Sequence, residues 1–156
     1  MELRSFRESD TEAVIALIDA VYREYDDRVY LEGAEADLKE VSEYFGDDLF
    51  QVLDDGGAVR GTIAIAAGED GTETWFLKRL YLDPTLRGGG WAKQLLDWAV
   101  ETARARGATR LDLWSDVRFE RAHAFYAKHG FTREGEPRTM HDSWQPYQEY
   151  FYTRRL

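Results

Sequence analysis

The stretch from Leu80 to Leu96, LYLDPTLRGGGWAKQLL, decides how this chain is read. An apolar, strand-like run ends at Asp83-Pro84, passes Arg87 and the three glycines Gly88, Gly89 and Gly90, and enters an amphipathic helix. Glycine tolerates a left-handed backbone and the close approach of a ligand, and the first turn of a helix presents N–H groups without intrahelical partners. The positive end of the helix dipole stands behind those groups. Together they suit an anion, with a phosphate or pyrophosphate as the natural occupant. Two nucleotide-binding patterns fail here. The dinucleotide pattern G-x-G-x-x-G needs a third glycine, but Gly90 is followed by Trp91, Ala92 and Lys93. A glycine loop closing on Gly-Lys-Ser/Thr is missing as well. The pattern Arg/Gln-x-x-Gly-x-Gly/Ala is met in register by Arg87, Gly90 and Ala92. The plain alternative is a strand–turn–helix corner in which the glycines only ease the turn.

In that register the segment resembles the acyl-CoA pyrophosphate loop of the GNAT superfamily of N-acetyltransferases. A second stretch, Arg121 to Phe131, RAHAFYAKHGF, is similar to the other motif of that family, a short helix with an aromatic–tyrosine pair and a Gly-Phe exit. A strand candidate, Arg110 to Ser115, separates the two, in the family order. The resemblance is strongest over 74–136. It implies an α/β (α+β) fold with one N-acetyltransferase domain over 1–156, in which a mixed central sheet of about seven strands is flanked by about four helices.

Composition sets bounds on the function. A chain of 156 residues with 44% hydrophobic and 14% aromatic content is long and apolar enough to bury a core. No run approaches the ~18 apolar residues of a membrane span, and Met1 leads straight into Glu2 and Arg4, so cytoplasmic residence without membrane association is expected. The absence of cysteine excludes disulfides, thiol catalysis and cysteine-ligated metal. His123, His129 and His141 show no zinc spacing, so no metal is expected. A net charge of −10 repels nucleic-acid backbones and favours the approach of cationic substrates such as amines.

The remaining elements follow from periodicity. Glu2 to Phe6 reads as a strand; Ser9 to Glu12 has the capping-box pattern, followed by Val14, Leu17, Ile18, Val21 and Tyr22 at helical spacing. Glu35 to Phe45 predicts a second helix, stopped at Gly46. Leu49 to Leu53 and Ala58 to Ala67 form a hairpin around Asp54 to Gly57, and a tight turn over 68–71 leads to a strand over Glu73 to Leu82. Ala92, Leu95, Leu96, Ala99, Val100 and Ala103 form an apolar stripe running to Gly107. Arg110 to Ser115 alternates as a half-buried strand, Glu120 to His129 is a helix capped by Gly130, and strands over Thr132 to Glu136 and Glu149 to Arg154 close the chain.

Acyl transfer from a thioester to an amine needs an anchored acyl donor, a polarised carbonyl, a proton acceptor for the amine and a proton donor for the thiolate. The resemblance implies acetyl-CoA as co-substrate, its pantetheine arm along Leu80, Tyr81 and Leu82 and its pyrophosphate over Gly88, Gly89, Gly90, Trp91, Ala92 and Lys93. Arg87 holds the loop or adds positive charge. It also implies Tyr126 as general acid toward the sulfur, whereas spacing alone reads Tyr126 as an aromatic on the apolar helix face. The chain departs from the family at three places. Phe119 stands where many members carry asparagine, and Trp114 and Phe76 stand where two subgroups carry a glutamate base. By position Asp116 is the substitute base, with Glu73 and Asp112 behind it. The acceptor pocket implied by the resemblance draws on Tyr22, Tyr25, Asp26 and Tyr30 on one side and Trp75, Trp114 and Trp144 on the other. Aromatic walls with carboxylates suit the amine of a small molecule or peptide.

Two other functions stay open at this level. A non-catalytic acyl-CoA sensor fits the missing usual base, and a nucleic-acid module built on Arg87-Gly88-Gly89 is opposed by the acidic balance. Composition does not decide between monomer and homodimer, although closing strands of such folds often pair across subunits.

Overall fold

The computed structural model describes residues 1–69, 71 and 73–156, and shows one seven-stranded sheet in the order β1-β2-β3-β4-β5-β7-β6. Along the chain run β1 (Glu2–Ser5), α1 (Thr11–Arg23), α2 (Val41–Phe45), β2 (Phe50–Asp55), β3 (Ala58–Ala67), β4 (Thr74–Leu82), α3 (Trp91–Ala105), β5 (Arg110–Asp116), α4 (Glu120–Lys128), β6 (Thr132–Met140) and β7 (Tyr147–Arg155). This is the predicted order of elements. Among the described residues only β4 and β5 pair in parallel, joined through α3 as a crossover helix; the other neighbours are antiparallel.

Helices cover both faces, so β3 is buried on both and its Gly61–Ile65 run is continuously shielded. Ile63 and Ile65 face α3, where Leu95, Leu96, Ala99, Val100 and Ala103 form the predicted stripe. Ala64 faces the other layer, where Phe50 and Val52 meet Val14 and Ile18 of α1 and Val41 of α2. Each fully buried leucine or isoleucine in these layers contributes about 2 kcal/mol. Among the described residues no helix is long and apolar enough to cross a membrane.

Several local expectations are corrected. Ser9 does not cap α1. It lies in a tight turn over Glu8–Asp10, and the Asp10 carboxylate accepts the Arg7 N–H at 2.7 Å while pairing with Arg4 at 2.9 Å. The helix predicted from Glu35 splits into a turn over Ala36–Lys39 and α2, because the backbone before it bonds elsewhere: the Ala34 N–H donates to the Asp142 carbonyl, and the Ala34 carbonyl accepts from Arg79. β5 is buried on both faces, with Asp112 held by Arg110 and Thr153, so its alternation does not mark an exposed side. The turn predicted over 68–71 includes Asp70, which lies outside the described residues. β6 and β7 run further than their sequence suggested, meeting as far as Met140 opposite Tyr147.

Candidate active site

β4 and β5 pair only where Thr74, Trp75 and Phe76 face Arg110, Leu111 and Asp112. Beyond that point the two strands part, and β4 carries a bulge in which Arg79 and Leu80 stand opposite the single residue Ile63 of β3. Arg79 takes a left-handed backbone (φ 54°), and its carbonyl accepts the Thr62 hydroxyl at 2.7 Å. A cleft of about 1330 Å³ opens at the splay and joins the two apolar layers through the sheet.

The glycine loop borders one end of this cleft. Gly88 and Gly90 have left-handed backbones (φ 83° and 85°), Gly90 immediately preceding α3, so two of the three glycines occupy conformations that other residues adopt at a cost. Leu80, Tyr81, Leu82, Arg87, Gly88, Gly90, Trp91, Ala92 and Lys93 all line the cleft, whereas Gly89 does not. Asp83 starts the turn by accepting the Thr85 N–H at 2.9 Å and the Arg60 guanidinium at 3.0 Å. Arg87 grips both oxygens of Glu24 at 2.8 Å, which ties the loop to the end of α1.

Tyr126 projects from α4 to the cleft wall, and its hydroxyl has no hydrogen-bond partner among the described residues. Burial pushes its phenol well up, with the phenols of Tyr81 and Tyr152 adding to the shift, so it stays protonated at neutral pH. Tyr25 lines the cleft and packs on Phe119 at 4.9 Å. Trp114 lines it between the Arg138 guanidinium at 3.9 Å and the Phe151 ring at 5.1 Å.

Other predicted acceptor residues lie elsewhere. Trp75 is 6% exposed and sits with Leu77 in the core under α3, since strand alternation sends it to the face opposite Phe76 and Lys78. Tyr30 packs edge-on against Trp144 at 4.5 Å, and the indole donates to the Val29 carbonyl; neither lines the main cleft. Asp26 and Trp144 belong to a smaller depression of about 430 Å³ shared with Arg23 and Arg28. Asp116 does line the cleft, but Arg118 engages both its oxygens, at 3.0 Å and 2.7 Å, and the Arg118 N–H adds a further bond at 2.9 Å. A carboxylate so held closes the turn into α4, with both oxygens engaged by Arg118. Asp112 accepts two Arg110 N–H groups on Oδ2 at 3.1 Å and 2.9 Å and the Thr153 hydroxyl on Oδ1, and Glu73 does not line the cleft.

A buried polar cluster that the sequence did not announce forms the wall facing α1. Glu35, 4% exposed, accepts the Tyr30 N–H at 2.8 Å and the Tyr22 hydroxyl at 3.4 Å. Asp37 takes the fork of Arg79 at 2.6 Å and 3.0 Å, and the Tyr22 and Tyr81 hydroxyls lie 3.0 Å apart. The readable signal is Lys78-Arg79 interrupting an otherwise apolar strand, since a charge within a buried strand requires a buried partner. His123, by contrast, is a core residue. It bonds Ser115 at 3.2 Å and stacks on Tyr152, and burial lowers its pKa. Among the described residues no group of three or more histidines and carboxylates is placed to hold a metal ion.

Comparison with known proteins bears on the family and the fold. Residues 15–131 match the Acetyltransferase (GNAT) family. The aminoalkylphosphonate N-acetyltransferase of Salmonella typhimurium is 29% identical over 134 residues, covering 83% of this chain and 84% of that protein. A GNAT-family acetyltransferase from Staphylococcus aureus Mu50 superposes with a TM-score of 0.83 at 20% identity, covering 99% of this chain and 98% of that one. The N-acetylglutamate synthase of Neisseria gonorrhoeae, solved with coenzyme A and N-acetyl-glutamate, has a TM-score of 0.74 at 19% identity, over 99% of this chain and 35% of that one.

Proposed function

Because the chain belongs to the acetyltransferase (GNAT) family and is thereby an N-acetyltransferase, we propose that it moves an acetyl group from acetyl-CoA directly to a primary amine of a small molecule or peptide. The observation that carries this reading is the splay of β4 from β5, with the glycine loop at one end of the opening and the unpartnered Tyr126 phenol on its wall. The Leu80–Leu82 backbone receives the pantetheine arm on the side facing away from β3. Gly88, Gly90 and the first turn of α3 receive the pyrophosphate through backbone N–H groups. The residues present fit such a ligand: the left-handed glycines leave room, with nothing within 4 Å of where a Cβ on Gly88 or Gly90 would stand.

Direct transfer agrees with a chain that has no cysteine to carry the acetyl group. The amine attacks the thioester carbon and the C–S bond breaks. Tyr126, protonated and without another hydrogen-bond partner among the described residues, gives its proton to the departing thiolate. Tyr25 and Trp114 supply aromatic surface for the acceptor. An aminoalkylphosphonate, the substrate in the name of the Salmonella relative, is one amine of this class worth including in a panel.

Tyr126→Phe tests the assignment. It removes one hydroxyl and keeps the buried ring, so kcat should fall about 10²-fold while acetyl-CoA affinity by calorimetry stays within a few-fold. An unchanged kcat rules out Tyr126 as the acid, and a parent that binds acetyl-CoA yet acetylates no amine in a broad panel is a sensor rather than an enzyme.

A further inference from the structure

The carboxylates of the cleft differ in one respect, the distance to the nearest cation. Asp27 and Asp116 share Arg118 at 2.8 Å and 2.7 Å, Asp112 has Arg110 at 2.9 Å, and Glu149 has Arg138 at 2.7 Å. Glu35 is the most enclosed of those not pinned in this way. The Arg79 fork is turned onto Asp37 at 2.6 Å and comes no nearer to Glu35 than 3.8 Å. The close neighbours of Glu35 are neutral donors, the Tyr30 N–H on Oε1 and the Tyr22 hydroxyl on Oε2. From Tyr22 the hydroxyl contact continues to Tyr81, which stands on β4 at the splay.

We propose that Glu35 is the terminal proton acceptor for the acceptor amine, drawing the proton through the hydroxyls of Tyr81 and Tyr22. This rests on the N-acetyltransferase reading. An incoming ammonium gives one proton to Tyr81 Oη as the Tyr81 proton passes to Tyr22 Oη and the Tyr22 proton to Glu35 Oε2. Both phenols end as they began, Glu35 is neutral, and the amine has its lone pair free. That pair forms the C–N bond, the C–S bond breaks, and the thiolate takes the Tyr126 proton. The second proton, shed by nitrogen, restores Tyr126, and Glu35 returns its own to solvent.

The surroundings suit this role. α1 contributes Tyr22, β4 contributes Arg79 and Tyr81, the Glu35 segment itself contributes Asp37 and Tyr30, and β7 contributes Tyr147, whose phenol donates to Asp142 at 2.8 Å. Burial raises the pKa of Glu35, and Asp37 pushes the same way against Arg79, so the carboxylate is more basic than an exposed one. Burial also holds the Tyr22 and Tyr81 phenols protonated, as a hopping relay requires.

The pH profile of kcat/KM for the amine, with Glu35→Gln, Glu35→Asp, Tyr22→Phe and the Glu35→Gln/Tyr22→Phe double variant, decides the matter. Glu35→Gln should lose about 10²-fold and abolish the acidic limb, Glu35→Asp should keep that limb with partial activity, and acetyl-CoA affinity should hold within a few-fold. Members of one series act as a unit, so the double variant should be no worse than the poorer single one. If Glu35→Gln does not fold, Tyr22→Phe carries the same expectation. An acidic limb that survives Glu35→Gln, or losses that multiply in the double variant, overturn the relay alone. A parent that acetylates no amine overturns the transferase reading and the relay with it.

Discussion

At Glu35 the fold holds a carboxylate that water reaches poorly and whose nearest cation, the Arg79 guanidinium, stands 3.8 Å away while its fork is turned onto Asp37. The consequence is a measurable pH dependence of stability. Burial raises the folded-state value above the ordinary 4.5. Below that ordinary value the group is neutral in both states. As pH rises past it the unfolded chain releases the proton first, so the contribution of neutral Glu35 to stability is lost progressively until the folded group ionises too. A glutamine at this position does not titrate, so Glu35→Gln should gain stability relative to the parent as pH rises above about 4.5, and the gain should level off once the folded group ionises. Urea midpoints of both proteins between about pH 4 and 8 read this difference, and a gap that widens toward acid contradicts it. His123 titrates with the opposite sign, since its lowered value makes stability fall as pH drops below 6.5, but it is common to both proteins and cancels. Arg79 shows a related compromise. A left-handed arginine costs about 1–3 kcal/mol, and here it is offset by the fork on Asp37 and the bond to the Ala34 carbonyl.

The connection between α1 and α2 brings these residues together, and Gly33 is its tightest point. A Cβ there would fall on the Asp142 carbonyl oxygen and lie 2.8 Å from the Tyr30 ring. Gly33→Ala must therefore push this connection away from the β6–β7 loop, which breaks the bond from the Ala34 N–H to Asp142. The expected cost is about 1–3 kcal/mol in a denaturation midpoint, with a several-fold rise in the KM for the amine and unchanged acetyl-CoA affinity. An unmoved amine KM would show that this wall does not touch the acceptor. The same geometry explains what could be read in advance. The α3 stripe, the glycine loop before it and the order of elements along the chain are local in sequence, so periodicity and turn chemistry disclose them. The proposed acceptor wall is made by pairs far apart in the chain, Arg79 with Asp37 and Ala34 with Asp142, and no short window of residues contains both partners. Trp75 departs from expectation for a simpler reason. Its parity with Leu77 assigns it to the buried α3 face, while Phe76 and Lys78 face the cleft. Arg118, two residues past Asp116, is the readable sign that this carboxylate already has a partner.

Over the whole molecule the excess of 30 acidic over 20 basic side chains sets a field that treats the two proposed substrates oppositely. An amine acceptor arrives as a cation and is drawn toward a surface of net charge −10, whereas acetyl-CoA arrives as an anion and must reach the helix N-terminus against it. Salt shortens the range of both effects, from a Debye length of about 10 Å at 0.1 M to about 3 Å at 1 M. Raising KCl from about 0.05 to 0.5 M should therefore lower kcat/KM for a cationic amine by about 3- to 10-fold, while kcat/KM for acetyl-CoA holds or rises. An amine that carries a phosphonate should lose less than a simple amine, because its added negative charge cancels the attraction. The opposed signs separate steering from any general effect of salt on the fold. Measured on one enzyme sample, parallel declines for both co-substrates would mean that salt acts on the protein itself, and the acidic surface would then have no part in collecting the acceptor.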